Sequence, residues 1–148
     1  MPVIVVGADT AAGGVILEGF QPSEREIRVF VSDEGTAQHL RGVGFKVALG
    51  DVSDESHVEA AATRCFSAVL IAEAAADDRE RAFADSSQEV MEVWARAVAN
   101  SRVTRVIWVT AEDPPQTRAS EVAKVDPGDT DLAGKVAALD DAQSIPTA

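Results

Sequence analysis

The chain has 148 residues, 46% apolar and 26% charged, which is enough to bury a core as one domain without disulfides or a structural metal. Thirteen basic against 25 acidic residues give a net charge of −12, which argues against binding to a nucleic-acid backbone or to anionic lipid. No run approaches the roughly 18 apolar residues of a membrane span, the single Cys65 leaves no internal disulfide, and no basic leader precedes the first apolar run. A reduced cytoplasmic setting is expected.

In chain order, five short runs rich in β-branched residues read as strands: Val3 to Val6, Ile27 to Val31, Lys46 to Leu49, Ala68 to Ala72 and Thr104 to Thr110. They lack in/out alternation, as strands covered on both faces do. Between them, residues 12–20, 34–43, 54–64 and 86–101 have helical spacing. Ser86 and Glu89 open the last of these as a capping box, with Asp85 as a competing cap. Strand and helix alternate, which predicts an α/β architecture with a parallel sheet and helices on both faces.

After Thr110, Pro114 and Pro115 stop the strand, and residues 112–148 hold eight acidic against three basic residues. Leu132, Val136 and Leu139 form the stripe of a helix over about 131–142. The segment reads as a tail with one docked helix in the same domain as the core 1–111. Disorder of this tail is the alternative.

Residues Val3 to Phe20, VIVVGADTAAGGVILEGF, form a strand, a glycine-bearing turn and a helix. A dinucleotide phosphate sits at such a turn, attracted by free N–H groups at the helix start. The pattern resembles the NmrA-like, NAD(P)H-binding branch of the atypical short-chain dehydrogenase/reductase superfamily, whose motif here is G-x-x-G-x-x-G. Gly7 and Gly13 match its first and third positions, and Thr10 stands at the second. The resemblance covers about residues 3–111 and implies a Rossmann-like, doubly wound sheet of about five strands in the order 3-2-1-4-5. Cofactor contacts would come from Gly7, Asp9, Thr10, Ala11, Ala12 and Gly13 in the turn.

Two features of this turn bear on the phosphate. Thr10 adds a Cβ where the family has bare backbone, though its hydroxyl could donate a hydrogen bond. Asp9 could cap the helix itself and compete with an anion. At the second strand end, where the family often places an arginine on the 2′-phosphate of NADP, the sequence is Val31-Ser32-Asp33-Glu34. Ser32 replaces the arginine. Asp33 has the spacing of an acid that accepts from NAD ribose hydroxyls, and also that of a cap for the next helix. NAD is therefore favoured over NADP, unless no cofactor binds.

Gly50-Asp51-Val52 keeps the family's pattern, and the resemblance implies that Asp51 accepts from the adenine amino group with the Val52 backbone beside it. Small residues from Ala72 onward would admit a ribose, with Glu73 facing that region or solvent. The charged run from Asp77 to Arg81 reads as a solvated surface helix, or as a place where Arg79 or Arg81 meets a phosphate or carboxylate.

The family's reductases use a Tyr-x-x-x-Lys pair, and this sequence contains no tyrosine. Thr110 alone stands near the fifth strand end. His39 and His57 have no ligand-spaced partners, so no metal is expected. The function expected is a non-catalytic nucleotide-binding, regulatory or scaffold module. The alternative is a small NAD(P)-dependent oxidoreductase with a non-standard proton donor. With no strand legible after residue 111, the apolar fifth strand would be an open edge. That edge and the 86–101 helix, through Val90, Met91 and Trp94, suggest a homodimer.

Overall fold

The structure is a computed structural model, and it describes residues 1–145. The strands are β1 (Val3–Val6), β2 (Ile27–Val31), β3 (Lys46–Leu49), β4 (Ser67–Ile71), β5 (Arg105–Val109) and β6 (Glu121–Val125). The helices are α1 (Ala11–Leu17), α2 (Glu34–Val43), α3 (Glu55–Ala62), α4 (Glu73–Ala76), α5 (Ser87–Asn100) and α6 (Leu132–Asp141). All pairings are parallel, in the order β3-β2-β1-β4-β5-β6. This is the doubly wound α/β architecture the sequence implied, with one strand more.

Each central strand sends alternate residues to two apolar layers. Ile4, Val6, Leu70, Val106 and Trp108 pack against Val58, Val90, Trp94 and Val98 from α3 and α5. Val5, Val29, Val69, Ile71 and Ile107 pack against Ile16, Leu40, Leu132 and Val136 from α1, α2 and α6. Both faces are therefore dry, which is why these strands are continuous apolar runs. Cys65 is one of the buried residues, and loss of solvation pushes its thiol up to about 11. It is a small hydrophobe of the core rather than a nucleophile.

The sixth strand corrects the expectation of an open fifth-strand edge. Glu121 to Val125 carries two charges in five residues, too polar a run to read as a strand. It pairs with β5 in the register Arg105↔Glu121 to Val109↔Val125. The dimer anchors are likewise used within the chain. Val90, Met91 and Trp94 are at most 4% exposed, and the Trp94 indole N–H donates to the Val52 carbonyl at 2.9 Å.

A buried arginine fixes this end of the sheet. Arg105 is fully buried. Its guanidinium donates to the carbonyls of Leu139 at 2.9 Å and Asp140 at 2.8 Å, at the end of α6, and pairs with Glu121 at 3.0 Å. Arg25 pairs with Asp140 at 2.6 Å beside it. The tail expected to hold one helix thus holds a strand and a helix, joined to the core by charge-assisted hydrogen bonds. Arg105→Met keeps the apolar stem but orphans Glu121 and two carbonyls, so urea unfolding should show a loss of about 3 kcal/mol. A loss below about 1 kcal/mol would mean that α6 docks through Leu132 and Val136 alone.

Candidate functional site

In open α/β sheets the ligand crevice lies beyond the carboxyl ends of the strands, where the winding direction reverses. Here that point is between β1 and β4. The β1–α1 turn enters it in a backbone conformation that two glycines make possible. Gly7 has φ of +93°, and a Cβ on Gly13 would fall 2.3 Å from the Gly7 carbonyl oxygen. Helix and strand therefore approach as closely as backbone allows.

Thr10 is the cap of α1. Its hydroxyl accepts from the Gly13 N–H at 2.9 Å and donates to the Gly7 carbonyl at 2.7 Å. Both capacities of the hydroxyl are turned inward, leaving it no proton for a phosphate. Asp9, expected as a competing cap, does something else. Its carboxylate accepts from the Ser32 N–H at 2.8 Å and pairs with Arg79 at 2.9 Å, with only 5% of the side chain exposed.

The carboxylate at the start of α1 comes instead from Glu73, the first residue of α4. Its Oε1 accepts from the Ala12 N–H at 3.1 Å. Ala12 is buried and Ala11 exposed. A helix start that would attract an anion thus holds one of the chain's own. Ala72, just before it, donates its N–H to the Val109 carbonyl at 2.9 Å, tying α4 to β5.

The other expected contacts fall around the same crevice. The Ser32 hydroxyl donates to the Gly50 carbonyl at 3.0 Å, and Arg79 Nη1 lies 3.3 Å from it. Asp33 caps α2, accepting from the Thr36 N–H and hydroxyl, each at 2.7 Å. The Thr36 hydroxyl and then its N–H hold the Asp33 carboxyl below its ordinary value. Asp51 accepts from the Ser53 N–H at 2.8 Å and hydroxyl at 2.6 Å on one oxygen, and from the Ala82 N–H at 2.8 Å on the other. Val52 is fully buried, and its carbonyl is taken by Trp94.

Arg79 is the residue whose place the sequence did not reveal. The charged run is not a solvated helix but bends and irregular chain, and the Arg79 side chain is 11% exposed. Two of its nitrogens grip Asp77 at 2.8 and 2.7 Å while the third reaches Asp9. Burial works against its charge, and the bonds to Asp77 and Asp9 outweigh that and raise its pKa. Burial also works to raise Asp77 and Asp51. The Arg79 bond outweighs it for Asp77, and the Ser53 and Ala82 bonds for Asp51, so both are lowered.

Beside these groups, a cavity of about 340 Å³ opens at the ends of β4 and β5, lined by Ile71, Glu73, Met91, Val109 and Thr110 among others. Thr110 is buried there and accepts from the Glu112 N–H at 3.1 Å. Among the described residues, no group of three or more His, Cys, Asp or Glu is placed to hold a metal, and no helix is long and apolar enough to cross a membrane.

No protein-family model matches the chain, and no curated protein matches its sequence. Solved structures do match its fold. An anaerobillin reductase from Escherichia coli O157:H7 is 21% identical with a TM-score of 0.57, over 74% of this chain and 50% of that one. Triphenylmethane reductase of Citrobacter sp., complexed with NADP(H), is 16% identical with a TM-score of 0.60, over 74% and 37%. An NADPH-dependent quinone oxidoreductase of Escherichia coli, complexed with NADPH, is 18% identical with a TM-score of 0.60, over 73% and 36%. This chain therefore spans between about a third and a half of the length of these structures. The likeness establishes a Rossmann-type fold, in agreement with the resemblance carried by the first turn.

The lowered carboxyls carry a pH dependence. A depressed native pKa contributes stability that is present above the unfolded value of about 3.9 and lost as pH falls through the native value. Amide exchange at Ala82, corrected for intrinsic rates, should stay protected from about pH 7 to about pH 4 and lose protection below. Loss of protection already at about pH 6 would implicate a histidine instead.

Proposed function

We propose that this chain is an NAD(P)-binding-type Rossmann domain that works as a non-catalytic, regulatory nucleotide-binding module. Support comes from the glycine-bearing turn at the switch point and from neighbours of the same fold whose structures hold NADP(H) or NADPH. The single observation that carries the regulatory reading is Glu73 on the Ala12 N–H, a carboxylate where a pyrophosphate would lie. A nucleotide must displace it, so binding is weak and conditional rather than the permanent tenancy of a catalytic cofactor. The absence of tyrosine from the sequence fits the same reading, since the family's proton donor has no counterpart.

The preferred nucleotide is NAD(H). At the end of β2 the Arg79 guanidinium is engaged by Asp9 and Asp77, and Arg81 pairs with Asp77 as well, so the cluster is charge-balanced and carries no surplus positive charge to attract a 2′-phosphate. The second reading, a small oxidoreductase, draws on the cavity at the ends of β4 and β5, where Thr110 is available to orient a substrate.

Calorimetric titration with NAD, NADH, NADP and NADPH tests these readings. Glu73→Gln removes the competing charge and should tighten NADH binding about tenfold, or about 1.4 kcal/mol. Equal affinity in both proteins would remove Glu73 from the site, and no heat with any dinucleotide in either would end the nucleotide reading. Steady NADPH oxidation with a quinone or dye acceptor would favour the reductase.

A further inference from the structure

The segment between α4 and α5 folds back over the carboxyl ends of β1, β2 and β3. Arg79 Nη1 reaches Asp9, after β1, at 2.9 Å and Ser32, after β2, at 3.3 Å. The Ala82 N–H donates to Asp51, after β3, at 2.8 Å. The Phe83 N–H donates to the Ser53 hydroxyl at 3.0 Å. Polar groups at three strand ends are thus satisfied by one short strap.

This attachment is mainly polar, with the small Ala84 packed partly buried against the core beside it. Phe83 is 65% exposed, so the strap's large apolar side chain is not used to hold it down. Each anchor exchanges one hydrogen bond for another on opening, so its net worth is small. The Arg79 link is the exception, because a nearly buried Asp9 loses its cation if the strap leaves. The strap is consequently closed at rest and still releasable.

Its position coincides with where the resemblance at Gly50-Asp51-Val52 would place the adenosine half of a dinucleotide. Both Ser53 donors use one oxygen of Asp51, so Ala82 occupies the oxygen left to receive an adenine amino group. Arg79 lies where ribose hydroxyls would approach the end of β2. We propose that residues 77–85 are an autoinhibitory strap, an internal occupant of the adenosine subsite that an adenine nucleotide must displace. This rests on the nucleotide-binding reading above. Binding and strap release are one event, which frees the Arg79 guanidinium from Asp9 and the Ala82 and Phe83 N–H groups together and gives the module an output without chemistry.

Ala82→Pro tests this without altering any charge, since it removes the N–H that Asp51 accepts at an exposed position. ADP-ribose is the probe, titrated by calorimetry, with amide exchange at Phe83 as the readout of the strap. The variant should exchange faster at Phe83 and bind ADP-ribose about fivefold tighter, the shift in the closed–open balance expected from one lost hydrogen bond. Saturating ADP-ribose should accelerate Phe83 exchange in the wild type. Equal affinity in the two proteins, or Phe83 more protected when ADP-ribose is bound, overturns the strap while leaving nucleotide binding intact. No binding by either protein overturns both. Arg79→Gln provides a second release of the strap. Tighter binding by it, despite the lost positive charge, supports the proposal, and unchanged or weaker binding with Phe83 freed counts against it.

Discussion

A carboxylate that is 5% exposed must be compensated, and around Asp9 that requirement organises the crevice. The side chain sits at the exit of β1, too close to the sheet for water to solvate it fully. It draws the Ser32 N–H from the end of β2 and the Arg79 guanidinium from beyond β4. Arg79 in turn needs Asp77, because its own burial opposes its charge. The ends of β1 and β2 and the strap are thereby coupled through one largely buried ionic cluster. Such a cluster contributes modest net stability but is costly to break on one side only, so it specifies one arrangement of the site.

The position of Asp9 depends on the turn beside it. Because Gly13 touches the Gly7 carbonyl, α1 starts directly over the end of β1, and Thr10 closes the helix with its own hydroxyl. With the cap supplied locally, Asp9 is free to face β2 and the remaining N–H of Ala12 is met by Glu73. Groups that a dinucleotide would use here are partnered by the chain itself: the Ala12 N–H at the helix start, the Ser32 N–H at the end of β2 and the Asp51 carboxylate. A crevice so satisfied binds only by exchange, and that is the physical basis for reading it as a switch rather than as a holder of a permanent cofactor.

The opposite end of the molecule follows the same logic with a different outcome. Arg105, fully buried in β5, is held by the last carbonyls of α6 and by Glu121 of β6. The Glu121 carboxylate also accepts the Ile145 N–H at 2.6 Å. A cavity of about 230 Å³ lined by Arg105 and Asp140 lies there, at the end of the sheet away from the switch point. The ionic cluster at this end anchors the acidic segment and covers the fifth strand, and it leaves Val90, Met91 and Trp94 for the chain's own core.

Local physics made much of this legible in the sequence. Both-face burial produced unbroken apolar runs, so five strands and their parallel arrangement could be read, and caps such as Asp33 and Ser86 sit within three residues of the N–H groups they satisfy. The glycines of the first turn were legible for the same reason, since backbone approach forbids anything larger. What the sequence could not show were the distant partners of its charged groups: Arg79 with Asp9 at a separation of 70 residues, Glu73 with the Ala12 N–H at 61, and Arg105 with Glu121 across a strand too polar to recognise. Hydrophobic periodicity is written residue by residue and determined the layers. The partner of a buried charge is fixed only by where the folded sheet brings its strand ends, so the tertiary structure alone decided that the crevice at the switch point is filled from within.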